Sequence, residues 1–199
     1  MDQIVPLSER AEEALGVALK LFTERGYDNT PMSVVADALG LTKAGVYHHF
    51  ESKEHLLYLV HKRTLEKQLV PLIVEAEREP SPEKRIGDFL IAYVELLAHD
   101  SGTGMLINES RRLAPEHLAE IRDIWRRGFQ MLRDSVAAMQ GAGLCRAGVD
   151  PSIAAFGAIG MASWVIHWFD PARPEMAGAV ARQLSGLFLA GILKNNLRS

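Results

Sequence analysis

Lys43, Ala44, Gly45, Tyr47 and His48 follow a glycine turn at Gly40, and Lys53 comes shortly after them. Lysine ammonium groups meet phosphates. A phenol and an imidazole reach phosphates or base edges. Alanine and glycine add no bulk, so a backbone carrying them can come close to a base pair. Together these are the parts of a short helix that enters a DNA major groove end first, since that groove is wide enough for one helix. Lys53, opening the next helix, places its ammonium beside free backbone amides where a phosphate could bind both.

Other chemistries find less support. His48, His49, His55 and His61 are metal-ligating types, but no His-Glu-x-x-His and no cysteine pair accompanies them. Ser101-Gly102-Thr103-Gly104 lacks the Lys-Ser/Thr of a phosphate loop, and no serine sits in a nucleophile elbow. Cys145 is the one cysteine, which excludes a disulfide framework and suits a reducing compartment. No catalytic activity, metal or cofactor is expected. The chain opens without a basic region followed by an apolar run, so a cytoplasmic protein is expected. The apolar stretch 153–169 is shorter than the ~20 residues of a membrane-spanning helix and contains Ser163 and His167, so it reads as a buried helix.

The elements that must position these residues are helical throughout. Ala11, Leu15, Ala18, Leu19 and Phe22 form one apolar stripe, with Gly26 as a left-handed cap. Thr30 reads as an N-cap and Pro31 as the first position of a short helix carrying Val34, Val35, Ala38 and Leu39. After Gly40, Thr42 caps a two-turn helix, Lys43 to His49. Ser52 caps a fourth, expected to kink or end near Pro71. Beyond a break at Glu79-Pro80-Ser81-Pro82, a helix carries Ile86, Phe89, Leu90, Tyr93, Val94 and Leu97. Residues 101–104 read as a loop, followed by a short helix to Leu113. A long helix starts at Pro115 and ends at Gly141 and Gly143. Asp150-Pro151 opens the apolar helix to about Phe169, and a last helix covers 175–195. The fold class is all-α. Residues 1–53 are expected to form a helix-turn-helix DNA-binding domain, and 54–199 a helical ligand-binding and dimerisation domain.

The stretch TPMSVVADALGLTKAGVYHHFESK, residues 30–53, combines these features in order and without gaps. With Arg25-Gly26-Tyr27 before it, it resembles the DNA-binding domain of the TetR family of transcription regulators. That family has a helix ending in Gly before an aromatic residue, then a Thr-led helix and a turn glycine. Its recognition helix closes in an aromatic-His-Phe signature, here Tyr47-His48-His49-Phe50. The resemblance covers about 8–64. It implies that Thr30, Thr42, Lys43, Ala44, Gly45, Tyr47, His48 and Lys53 touch double-stranded operator DNA and that Phe50 is core.

Charge has to be read by position. The chain carries a net charge of −3, and residues 1–62 hold six basic residues (Arg10, Lys20, Arg25, Lys43, Lys53, Lys62) against nine acidic ones. No basic patch argues for DNA, so modest affinity per subunit and a shallow salt dependence are expected.

In the remainder, the two C-terminal helices (151–169 and 175–195) are too apolar for the surface of a monomer. The first is rich in Ala154, Ala155, Gly157, Ala158, Gly160 and Ala162, so a homodimer built on them is expected. Phe89, Tyr93, Met105, Trp125, Phe129, Met161, Trp164 and Trp168 are candidate lining of an effector pocket, with Glu109 and Arg111 at its polar end. The segment from Ala162 to Pro171 resembles a Trp-containing segment of TetR-family repressors of fatty-acid or sterol degradation, which respond to acyl-coenzyme A thioesters. Arginines for the phosphates and an apolar tunnel for the acyl chain would fit such a small-molecule effector. The resemblance therefore implies a repressor released from a palindromic operator by an acyl-CoA. The alternatives are a different apolar or aromatic effector, or activation in place of repression.

Overall fold

Among the described residues, regular structure is nine α-helices and three 3-10 turns, and the single β-type pairing is an isolated antiparallel bridge between Cys145 and Leu193. The structure is a computed structural model and describes residues 9–194. Helix α1 (Glu9–Arg25) buries Ala14, Leu15, Ala18, Leu21 and Phe22, a stripe in steps of three and four. It stops at Gly26, whose φ of 81° is one an L side chain rarely adopts, and whose N–H returns to the Phe22 carbonyl at 3.0 Å. Then come α2 (Met32–Ala38), α3 (Lys43–His49), α4 (Lys53–Arg78), α5 (Pro82–His99), α6 (Ser101–Glu109), α7 (Pro115–Gly141), α8 (Pro151–Ser163) and α9 (Ala177–Ile192). No described helix is long and apolar enough to cross a membrane.

Packing divides the chain into two units. One comprises the described residues up to Thr64 together with Gly102–Ile121. The other comprises Leu65–Ser101 together with the described residues from Arg122 onward. All three boundaries between them fall inside helices, α4, α6 and α7.

Several starts and stops differ from expectation. Thr30 does not cap α2. Pro31 occupies the cap with extended φ and ψ of −65° and 158°, while the Thr30 hydroxyl donates to the Gly26 carbonyl at 2.9 Å. The tighter return bond inside the turn wins over the cap. Helix α4 does not end at Pro71 but continues to Arg78. Pro71 and Lys67 are both exposed, so the carbonyl that loses its donor lies on the solvent side. Residues 101–104 are not a loop but the first turn of α6, with Gly102, Thr103 and Gly104 buried. Lack of bulk, which suggested a turn, instead lets that helix pack tightly. Helix α6 ends at Glu109, and a 3-10 turn, Ser110–Arg112, continues to Leu113. The α-helix begun by Asp150 and Pro151 stops at Ser163 and tightens into a 3-10 turn, Trp164–His167. The last helix occupies Ala177–Ile192, and Asn195 lies outside the described residues.

In the second unit α5 lies along α9. Ile86, Leu90, Val94 and Leu97 are buried on one side, Ala177, Ala181 and Ile192 on the other. The helices come close at Gly87, where an added Cβ would stand 3.3 Å from Leu189 Cδ1 and where the Ser185 hydroxyl donates to the glycine carbonyl at 3.1 Å. Helix α8 turns Ala154, Ala155, Ala158 and Ala162 inward. Its other side leaves Ile153 73% and Phe156 64% exposed, Trp164 in the 3-10 turn that follows is 62% exposed, and α9 exposes Leu187 at 67%. Gly157, Gly160, Gly186 and Gly191 lie exposed on the same two helices.

The first unit buries a histidine. His61 on α4 is 1% exposed, and burial pushes its imidazole pKa down to about 4 from an ordinary 6.5. The unfolded chain therefore takes up a proton at higher pH than the folded one. The stability this residue contributes is complete above pH 6.5 and is lost as pH falls from 6.5 towards 4. By pH 5 the loss is about 2 kcal/mol relative to pH 8. Urea unfolding of the wild type and of His61→Leu at both pH values should show a shallower acid-side decline in the variant; parallel declines would contradict the assignment.

Candidate nucleic-acid interface

Helix α3 has seven residues, too few to be stable alone. Its hold on the molecule is narrow. Val46 is its one buried residue, and Phe50, just beyond its end, is 2% exposed. Thr42 closes the N-terminal end, its hydroxyl accepting the Gly45 N–H at 3.1 Å. The turn from α2 is set by Gly40, whose φ is 65°, and by the Leu41 N–H reaching the Ala36 carbonyl at 2.9 Å. Turning Val46 inward sends Lys43, Ala44, Tyr47 and His48 to solvent, Tyr47 at 43% exposure. Lys43 Nζ stands 6.0 Å from the centroid of the Tyr47 ring. Gly45 is half-buried, and a Cβ there would meet Thr42 Oγ1 at 3.4 Å, an ordinary contact.

Of the eight residues expected to face DNA, Thr42, Lys43, Ala44, Tyr47 and His48 are exposed, and Gly45 and Lys53 are half-buried. Thr30 is fully buried, its hydroxyl committed to the turn after α1. Lys53, at the first position of α4, is held by the preceding turn. Its ammonium lies 4.2 Å from the Tyr27 ring centroid and donates to the Asp28 carbonyl at 3.4 Å. Burial lowers its pKa, and the nearby Asp28 carboxylate works against that. Ser52 caps α4, accepting the His55 N–H at 2.9 Å.

Behind this surface, long-range pairs invisible in sequence order the start of α4 against residues 109–120, all within the first unit. Glu54 accepts the Ala114 N–H at 2.8 Å, and the His117 Nδ1–H sits 3.0 and 3.1 Å from its two oxygens. The His117 ring stacks on Tyr58, centroids 4.0 Å apart, and on His55 at 5.6 Å. Glu120 accepts from the Tyr58 hydroxyl at 2.6 Å and from the Lys62 ammonium at 2.8 Å. The Glu120 bond raises the Lys62 pKa, and the Lys62 bond lowers that of Glu120. Arg112 reaches the Asp28 carboxylate at 2.7 Å, and its Nε also pairs with Glu109. Despite these histidines, no group of three or more His, Cys, Asp or Glu among the described residues could hold a metal ion.

The residues read as pocket lining fall in both units. Met105, Glu109 and Arg111 belong to the first, where Met105 is half-buried and Arg111 exposed. In the second, Phe89 and Tyr93 are buried and stacked at 5.6 Å, and the Tyr93 hydroxyl lies 3.3 Å from that of Ser163. Burial raises the Tyr93 pKa. Trp125 and Met161 are half-buried. Phe129 packs against the exposed Phe156 at 4.5 Å. Trp164 and Trp168 are 62% and 50% exposed, with Trp164 beside His167 at 4.4 Å.

Comparison with known proteins agrees with this architecture. Residues 14–59 match the model of the bacterial regulatory proteins of the tetR family, and 79–192 match the tetracyclin repressor-like C-terminal domain. The HTH-type transcriptional repressor KstR2 of Mycobacterium tuberculosis is 25% identical over 201 residues, which span 99% of this chain and 100% of that protein. Among solved structures, the TetR family regulator PfmR of Thermus thermophilus superposes with a TM-score of 0.82 at 31% identity, covering 95% of this chain and 100% of the other. AibR, in a crystal structure with isovaleryl coenzyme A and operator DNA, also gives 0.82, at 26% identity, covering 90% and 97%. These are transcription regulators, not enzymes, and with both domains matched the chain belongs to the TetR family.

Proposed function

We propose that this chain is a repressor which binds a palindromic operator as a homodimer through α3 and is released by an acyl-coenzyme A. The observation that carries the reading is the division of α3 into a buried anchor, Val46, and a solvent row of Lys43, Ala44, Tyr47 and His48. Nothing in the fold of one chain requires that row. Thr42 and Lys53 flank it and would meet backbone phosphates, while Ala44 and Gly45 let the backbone approach base edges. Thr30 would act by shaping the turn that carries Tyr27, Asp28 and the start of α2, since its side chain is enclosed.

The exposed apolar stripe of α8 and α9 supports the dimer. Ile153, Phe156, Trp164 and Leu187 are large, exposed and interleaved with glycines that allow close helix approach. A two-fold pair also suits two half-sites one helical turn apart. The likeness to AibR supports the effector class. A thioester's acyl chain would lie among Phe89, Tyr93, Trp125 and Met161, and Tyr93 and Ser163 would offer hydroxyls to its carbonyl. Glu109, in the first unit, is occupied by Arg112.

Gel retardation with a duplex from beside the protein's own gene tests the interface. Tyr47→Ala should weaken binding at least tenfold while changing stability by no more than about 0.5 kcal/mol, because the ring is exposed. Phe50→Ala should instead cost about 3–5 kcal/mol of stability. Retardation unaffected by Tyr47→Ala would overturn the reading. Coupling of the usual size, about 1–3 kcal/mol, predicts that an acyl-CoA of matching chain length weakens operator binding about 5- to 150-fold. Failure of every acyl-CoA to release DNA or raise the melting temperature would remove that effector class. Light scattering at micromolar concentration should give a dimer for the wild type and a monomer for Phe156→Glu; a monomeric wild type would overturn the dimer.

A further inference from the structure

Arg112 lies well outside the helix-turn-helix, on the 3-10 turn that follows α6, yet its guanidinium is at the edge of the surface that carries Lys53. Tyr27 has a cation from each: Lys53 Nζ at 4.2 Å and Arg112 Cζ at 5.3 Å from the ring centroid. Asp28 is divided between the same two residues. Its carbonyl accepts from Lys53 at 3.4 Å and its carboxylate from Arg112 Nη2 at 2.7 Å. That carboxylate has 67% of its side-chain surface exposed, so it faces the same solvent a DNA phosphate would occupy. An uncompensated Asp28 would repel a phosphate approaching Lys53. Glu109 holds Arg112 from the other side, through Nε, and leaves Nη2 aimed at Asp28. Asp28, Arg112 and Glu109 all act electrostatically on the Lys53 ammonium.

We infer that Arg112 is a positioning residue for operator binding: by neutralising Asp28 and fixing the turn on which Lys53 rests, it keeps the Lys53 phosphate site attractive to DNA. The inference rests on the reading of Lys53 as a phosphate contact. It assigns the turn after α6 a part in DNA affinity that the helix-turn-helix alone does not contain. It also differs from a direct Arg112–phosphate contact, which would leave Asp28 irrelevant.

A double-mutant cycle on the full chain separates the two. Operator affinity is measured by fluorescence anisotropy on the duplex from beside the protein's own gene, for wild type, Arg112→Gln, Asp28→Asn and the double variant. Arg112→Gln should weaken binding on the order of fivefold, and adding Asp28→Asn should recover it to within about twofold. The salt slope should stay unchanged in Arg112→Gln but fall by about one contact per subunit in Lys53→Gln. Arg112→Lys, which keeps the charge but loses the two-sided grip, should fall between wild type and Arg112→Gln. Melting temperatures identify any variant that has lost its fold, and Asp28→Asn alone, which removes the negative charge while keeping an acceptor oxygen for Arg112, should bind at least as tightly as wild type. Unchanged affinity in Arg112→Gln overturns the inference. So does a loss that Asp28→Asn fails to recover, accompanied by a reduced salt slope. A wild type that binds DNA while Lys53→Gln leaves both affinity and salt slope unchanged removes the phosphate site itself. A wild type that retards no fragment removes the operator reading, and this inference with it.

Discussion

A seven-residue helix must be held from outside, and the anchoring of α3 is the constraint on which the rest of this molecule depends. The anchor is one buried valine, one buried phenylalanine after the helix and one threonine cap before it. Few contacts suffice because they are placed at the middle and both ends. The same economy leaves most of the helix surface uncommitted. A longer helix would have needed a wider apolar stripe and would have exposed fewer residues for recognition. Gly45 adds to the cost, up to about 1 kcal/mol relative to alanine within a helix. In the free chain an added Cβ there makes only an ordinary contact. The fold therefore does not require that glycine, whereas a backbone that must come close to base edges would.

The second unit shows the complementary situation. Helix α8 is apolar nearly all round, which for a helix means burial on all sides. Among the described residues its alanine side is buried, and Phe156 and Ile153, with Trp164 in the turn that follows, are left in solvent. Large exposed apolar side chains grouped on adjacent helices mark a contact surface more often than an accident of composition. Small residues occur on both sides of α8, but they do different work. The alanines admit the rest of the unit, whereas Gly157 and Gly160 sit exposed on the outward side, with open space around them among the described residues. The apolar character of 153–169 is thus split between one face buried within the chain and a second that is exposed on it.

Much of this was legible in the sequence because it is local. Gly26 takes the left-handed φ expected of it, Gly40 sits in the expected turn, and Thr42, Ser52, Ser81 and Asp150 each accept a hydrogen bond from the helix they begin. Where local rules competed, the reading went astray. Thr30 had two possible partners, the amides of α2 and the carbonyls of the preceding turn, and only tertiary burial decided between them. Ser101-Gly102-Thr103-Gly104 has turn composition, but Gly102, Thr103 and Gly104 are enclosed, and a buried backbone satisfies its polar groups most completely as a helix. What no local rule could supply is the pairing of Asp28 with Arg112, Glu54 with His117 and Tyr58 with Glu120, each separated by more than fifty residues. The HTH motif was readable because its spacing is a signature; the network that supports it is not, because charge pairs of this kind carry no periodicity.

That network bears on how an acidic module can hold DNA. Counted by sequence, residues 1–62 repel a polyanion. In the fold, some of the acids have partners. Glu12 pairs with Arg63 at 2.6 Å and Asp28 with Arg112, and Glu54 is hydrogen-bonded by His117. Two of these partners lie beyond residue 100, in the segment that packs with the first unit. The effective charge at the recognition surface is therefore set partly by residues far from it in sequence, and a net-charge count over the motif alone misjudges the field a phosphate meets. The same segment continues as α7 into the second unit, and α4 does likewise from the other direction.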